Sequence, residues 1–173
     1  MIKSYLPLGQ IVSTHGVRGE MRVHPWCDSP AFAKHFKTLY FGKNGEDPVK
    51  VVSARVHKNM ILLTLQDVDS VEAALSLKNK MLYFRRADVR LPDNTWFIEE
   101  LLECAVYDAD VPDKRYGTLT DVMSTGANDV WTVTDEAGRE YLLPVIPDVV
   151  IKTDVAEGRI LIRPLKGIFD DAD

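Results

Sequence analysis

Long apolar runs are missing from this sequence: no stretch approaches the roughly 18 unbroken apolar residues of a membrane-spanning helix. Cysteine is scarce, with only Cys27 and Cys104 in 173 residues. The two stand far apart and without ligand spacing, which excludes a disulfide framework and a cysteine-based zinc site. The opening Met1-Ile2-Lys3-Ser4-Tyr5-Leu6-Pro7 has no signal-peptide core, so a cytoplasmic protein is expected. No Gly-x-x-x-x-Gly-Lys-Ser/Thr cradle occurs, and no Gly-x-Ser-x-Gly nucleophile elbow. The four histidines are not paired at the i, i+4 spacing that puts two zinc ligands on one helical face. Glu99 and Glu100 are expected on a strand, where neighbours face opposite ways and make a poor acid–base pair. No catalytic constellation, metal site or cofactor cradle can be assembled from what remains. The expectation is a protein that binds rather than catalyses, without cofactor or membrane, and as a monomer.

Apolar residues are plentiful, at 46% against 27% charged, which suits an ordinary globular core. The net charge is −5, and it is unevenly spread. Residues 1–88 carry 13 Lys+Arg and 8 Asp+Glu, or +5, while residues 89–173 carry 8 and 18, or −10. All four histidines (His15, His24, His35, His57) lie in the basic half. A bipolar chain of this kind can bring a polyanion and a polycation together.

Short β-branched and aliphatic runs fill most of the chain. In the first half they are Leu8–Ser13, Glu20–His24, Thr38–Phe41, Val49–His57, Met60–Leu65 and Met81–Phe84. Gly42-Lys43-Asn44-Gly45 and Lys58-Asn59 read as hairpin connections. Ser29-Pro30 starts a short helix that puts Phe32 and Phe36 on one face, and Asp69 to Glu72 fits a capping box before a second. In the second half the strands are Cys104–Asp108, Thr118–Met123, Val130–Thr134, Glu140–Val145, Val149–Thr153 and Arg159–Arg163. Gly117, Glu136-Ala137-Gly138 and Glu157-Gly158 are expected to turn the chain between strands. The polar, proline-containing stretch around residues 89–95 coincides with the charge reversal and reads as a linker between domains 1–88 and 96–173. Many short strands at 8–12-residue spacing predict an all-β protein with a few short helices, built as two small barrels.

One segment carries more information than its periodicity. It runs from Gly9 through Ile11 and Thr14-His15-Gly16-Val17-Arg18-Gly19-Glu20 to Arg22. Two apolar strands flank His-Gly-Val-Arg-Gly, so glycine at two positions permits a tight turn with His15 and Arg18 at its tip. An arginine there can fork onto a phosphate or carboxylate. Lys78, Lys80, Arg85 and Arg86 are a possible extension of a phosphate-facing patch.

This segment resembles the N-terminal signature of the RimM family of ribosome maturation factors, Gly-x-Ile-x-x-x-His-Gly-x-x-Gly-Glu. Gly9, Ile11, His15, Gly16, Gly19 and Glu20 occupy every fixed position. Later segments agree in order: Trp96-Phe97-Ile98-Glu99-Glu100-Leu101, Gly126-Ala127-Asn128-Asp129-Val130 with Trp131-Thr132-Val133, and Leu142-Leu143-Pro144. Trp96-Phe97 stands where the family usually has two tyrosines, and Glu103 where glycine is common.

The resemblance implies an N-terminal six-stranded barrel like those of translation factors and a C-terminal barrel of the PRC type. It further implies an assembly factor that binds the immature small ribosomal subunit and a ribosomal protein of the S-nineteen family, acting on the subunit's head domain and on RNA processing without catalysis. On that reading Trp96, Phe97, Glu99, Glu100, Asn128 and Asp129 meet the ribosomal protein. His15, Gly16, Arg18, Gly19 and Arg22 meet RNA or the subunit. Trp96 and Phe97, taken as strand neighbours, are expected to point to opposite faces, leaving at most one for a partner. Two rival readings are a flavin-binding enzyme of the reductase-barrel type and a PRC-barrel adaptor for another protein.

Overall fold

Period-two alternation dominates the first half, and alternating strands can bury their apolar face only by closing on one another. The computed structural model describes residues 2–27 and 29–170. The chain divides into two units, Lys3–Arg90 and the residues from Leu91 onward. The first holds β1 (Tyr5–His15), β2 (Glu20–Pro25), β3 (Thr38–Tyr40), β4 (Pro48–His57), β5 (Met60–Leu65) and β6 (Met81–Arg85). They form a closed barrel in the order β1-β2-β5-β4-β3-β6, with every neighbouring pair antiparallel.

Leu6, Leu8 and Ile11 on β1, Met21 and Val23 on β2, Ile61, Leu63 and Leu65 on β5, and Leu82 and Phe84 on β6 are buried in its core. Each contributes roughly 1.5–3 kcal/mol of apolar burial. Bulges at Pro7/Gly9 and Ile11/Ser13 shift the register of β1 against β6 and β2 and bend the strand. His57 pairs with Met60 across the two-residue Lys58-Asn59 turn, as the sequence reading expects.

Two short helical segments occupy the places foreseen. Pro30–His35 is a 3-10 turn capped by Ser29, whose hydroxyl accepts from the Ala31 N–H. It brings Phe32 and Phe36 onto Phe84, with Phe36 and Phe84 stacked at 4.8 Å and Phe32 edge-on at 5.3 Å. Helix α1 (Val71–Leu75) starts one residue later than the sequence suggests. Its cap is Ser70, whose Oγ accepts from the Ala73 N–H at 3.1 Å, and not Asp69. Hydroxyl and carboxylate are near-equivalent caps, so sequence alone does not separate adjacent candidates.

The second unit opens with helix α2 (Ile98–Leu101) and continues through β7 (Ala105–Asp108), β8 (Arg115–Ser124), β9 (Asp129–Thr134), β10 (Glu140–Pro144), β11 (Val150–Asp154) and β12 (Arg159–Ile162). The six strands form one sheet in the order β10-β9-β8-β7-β12-β11. All pairs are antiparallel except β7 with β12. Leu101, Val106, Leu119, Trp131, Val133, Leu143, Ile160 and Ile162 build its core.

Three local expectations are corrected here. Gly117 is not a turn but lies inside β8, where a Cβ would sit 2.3 Å from the Thr134 carbonyl oxygen, so the residue marks a close strand approach. Trp96 and Phe97 precede a helix rather than lying on a strand, and the opposite-faces argument does not apply to them. Glu99 and Glu100 fall on α2 rather than on a strand.

Candidate functional site

The turn between β1 and β2 is the first candidate. His15 and Glu20 are the last cross-strand pair before it. Gly16 and Gly19 both adopt positive φ, +70° and +87°. At Gly19 a Cβ would stand 2.3 Å from the Val68 carbonyl oxygen, so only glycine lets the turn settle against that segment. At the tip, Val17 is 78% exposed and Arg18 is exposed beside it.

His15 does not project with Arg18, as the sequence reading has it. It folds back along the strands. The Arg22 guanidinium donates to His15 Nδ1 at 3.3 Å, and His15 Nε2 lies 3.9 Å from Glu20 Oε1. Glu20 is also the acceptor of a two-pronged bond from Arg55, at 3.1 Å from Nε and 2.8 Å from Nη2. The His57 ring stands 5.8 Å from that of His15. The hydrogen bond from Arg55 holds the Glu20 carboxyl below its usual range, helped by the charges of Arg55, His15 and His57 and opposed by partial burial.

Arg55 and His57 lie outside the linear motif. Barrel closure brings them in, because β5 pairs with β2 on one side and β4 on the other. No local spacing signals this. The result is a set of basic and imidazole groups, Arg22, Arg55, His15 and His57, arranged around one carboxylate, with Arg18 beyond it. With Arg55 engaged by Glu20, the exposed Arg18 and Arg22 are the arginines here that suit a phosphate backbone. Arg85, Arg86 and Lys80 are engaged locally. Arg85 pairs with Asp88 at 2.7 Å, Arg86 donates to the Val89 carbonyl at 2.9 Å, and the Lys80 ammonium lies 5.2 Å from the centre of the Phe41 ring.

The second candidate set lies in the other unit. Trp96 is half-buried and packs on the core of this half. Phe97 is half-buried and forms the N-cap position of α2. Glu99 is half-buried, whereas Glu100 is only 2% exposed. Its carboxylate accepts from the Phe97 N–H at 3.3 Å, tying the first turn together. Glu100 therefore serves the fold, which counts against the expected contact with a partner. Asn128 and Asp129 sit where a loop enters β9. The Asn128 amide donates to the Asp129 carbonyl at 3.0 Å, and that carbonyl also accepts from the Val145 N–H. The Asp129 side chain belongs to an exposed residue. Glu103, just after α2, has φ of +69°, the left-handed conformation that glycine adopts most readily.

Among the described residues no group of His, Cys, Asp and Glu is arranged to hold a metal ion. None of their helices is long and apolar enough to cross a membrane.

Comparison with known proteins bears on both halves. The family model of the RimM N-terminal domain matches residues 6–89, and that of the RimM PRC barrel domain matches residues 99–168. A ribosome maturation factor RimM of Acetivibrio thermocellus is 36% identical over 171 residues, covering 96% of this chain and 97% of that protein. The ribosome maturation factor RimM of Ruminiclostridium cellulolyticum is 36% identical over 168 residues, covering 96% and 98%. A crystal structure named RimM from Pseudomonas aeruginosa is similar at 25% identity, covering 91% of this chain and 96% of that one with a TM-score of 0.45. With both domain models matched in order and identity sustained along nearly the whole length, the chain belongs to the RimM family.

Proposed function

We propose that the chain serves ribosome maturation by binding, without catalysing a reaction. Its relatives are named ribosome maturation factors, and membership of their family supports a role in small-subunit maturation and 16S ribosomal RNA processing. The finer reading is that it holds the immature small subunit together with a ribosomal protein of the S-nineteen family, as a cytoplasmic monomer, and promotes maturation of the head domain. The observation that carries this is the full-length family match, with both domains present in order.

Physical chemistry supports a division of labour. In the first half, Arg18 at the turn and the exposed Arg22 below it offer phosphate-compatible donors. In the second half, an excess of carboxylates suits a basic ribosomal protein. Charge of this kind mainly speeds and orients encounter, so affinity needs apolar anchors. The half-buried Trp96 and Phe97 are assigned that anchoring role, and Glu99, Asn128 and Asp129 are assigned to the same contact. A factor of this kind acts only if it binds the unfinished particle more tightly than the finished one.

Sucrose-gradient sedimentation with ribosomal fractions tests the proposal. Co-migration with immature small subunits, and not with complete ribosomes, is the expected profile. Equal co-migration with both, or with neither, removes the basis for an assembly role.

A further inference from the structure

A cavity of about 330 Å³ opens in the second half, where the turns joining β7 to β8 and β9 to β10 meet the segment after β12. Its lining runs against the character of that half. Of the 8 basic residues in residues 89–173, three converge on it: Lys114, Arg115 and Arg139.

Two carboxylates also line the cavity, each pairing with one of the arginines, so three cations face two anions. Asp135 is consumed by its own turn. It accepts from the N–H groups of Ala137 and Arg139, each at 2.9 Å, from Arg139 Nε at 2.8 Å and from the Tyr141 hydroxyl at 3.1 Å. Glu136 meets Arg115 at 3.6 Å with its side chain 91% exposed, a solvent-screened pair that a phosphate can displace. The Lys114 ammonium lies 5.2 Å from the centre of the Tyr116 ring.

The remaining wall is aromatic and fixed. Phe169 stacks on Tyr116 at 4.3 Å and leans on Tyr141 at 4.7 Å. The Tyr116 hydroxyl donates to Asp108 and that of Tyr141 to Asp135, so neither phenol swings freely.

We propose that this cavity takes one nucleotide of a single-stranded RNA, with the phosphate on Lys114, Arg115 and Arg139 and the base against the Phe169–Tyr116 wall. Basic side chains beside an aromatic platform are the means by which proteins hold unpaired nucleotides. An acidic peptide would use the cations and leave the rings idle, and an apolar one would bury the cations. This contact is independent of the turn at Arg18 and lies in the half whose net charge alone argues against nucleic acid.

The test uses the full chain and a fluorescein-labelled ten-nucleotide oligouridylate, read by anisotropy at low salt. A second readout is photo-crosslinking of the same strand carrying 4-thiouridine, which needs no variant. Lys114→Glu with Arg115→Glu is expected to weaken binding at least about tenfold, and Phe169→Leu about fivefold or more. Crosslinks are expected in peptides containing residues 114–116 or 169. Affinity within about twofold of wild type in both folded variants overturns the proposal, as do crosslinks confined to the first half. Displacement of the strand by an equal concentration of uridine monophosphate also overturns it, because the site would then serve free nucleotides. None of these failures touches the sedimentation result on which the maturation role is judged.

Discussion

Glu20 and Arg55 form a two-pronged ion pair between β2 and β4, strands that are not neighbours but are separated by β5. The pair links a residue of the RimM signature to one outside it. It also sets the charge around His15 and Arg22, because a carboxylate engaged by Arg55 competes less for the other donors.

Removing that carboxylate has a pH signature. The folded Glu20 carboxyl titrates below its ordinary value of 4.5, so its contribution to stability is complete above that pH and is lost as pH falls through the folded value. Glu20→Gln is therefore expected to lower the midpoint of thermal unfolding at pH 7. The gap between variant and wild type should narrow as the pH drops below 4.5. Melting curves across pH 3 to 7 check it, and a gap independent of pH would remove the ion pair as its cause.

Arg18 is exposed at a turn and has little to do for the fold. Arg18→Glu is expected to leave the circular dichroism spectrum and melting temperature unchanged while weakening association with immature small subunits on the order of tenfold. Binding assays at two salt concentrations also read the slope, which should become shallower.

The two turn glycines separate conformational from steric demand. Gly16 has positive φ but open space around its missing side chain, whereas Gly19 has positive φ and the Val68 carbonyl in the way. Gly16→Ala is expected to cost ~1 kcal/mol and Gly19→Ala ~2–3 kcal/mol. Urea titration of both variants decides whether the turn is held down at its second glycine.

Glu103 holds a left-handed conformation that a side chain disfavours. Glu103→Gly is expected to stabilise the second half by ~0.5–1 kcal/mol, and Glu103→Ala to give much less of that gain. The same unfolding measurement compares them.

Adjacent glutamates on α2 should behave differently. Glu100 is buried and bonds the Phe97 N–H, so Glu100→Ala is expected to cost ~1–2 kcal/mol of stability. Glu99, half-buried, is assigned to the partner contact, so Glu99→Gln should weaken capture of a basic ribosomal protein while leaving the melting temperature within about 2 °C of wild type. A large loss of stability in Glu99→Gln would move that residue from the contact to the fold.

Much of this architecture was legible because strands write their burial into every second residue. Met21 and Val23 mark β2, and Trp131 and Val133 point inward on β9 as their alternation implies. The Lys58-Asn59 turn and the Ser29 cap were legible for a different reason, since each rests on local chemistry. What failed was information held in tertiary contacts. The Thr134 carbonyl beside Gly117 marks an apparent loop glycine as a strand glycine. The Trp96–Glu100 stretch has the apolar and acidic residues of a strand edge, but Glu100 finds the Phe97 amide and closes a helical turn. At the candidate site the glycines and histidine of the signature stand together in the sequence, while Arg55 and His57 reach them only through barrel order. The basic cavity near Phe169 draws on three separate segments and has no linear signature at all.

Both halves share one habit of chain connection: the first strand keeps a flank for the last. β1 pairs with β2 and then with β6, and β7 pairs with β8 and then with β12. Until that last strand is synthesised, the first strand of each half presents a raw hydrogen-bonding margin, the kind that recruits stray strands and seeds aggregation. Neither half therefore has a safe stopping point short of its final strand. Chains cut within β6 or β12 should accumulate as insoluble or proteolysed fragments rather than as working partial factors.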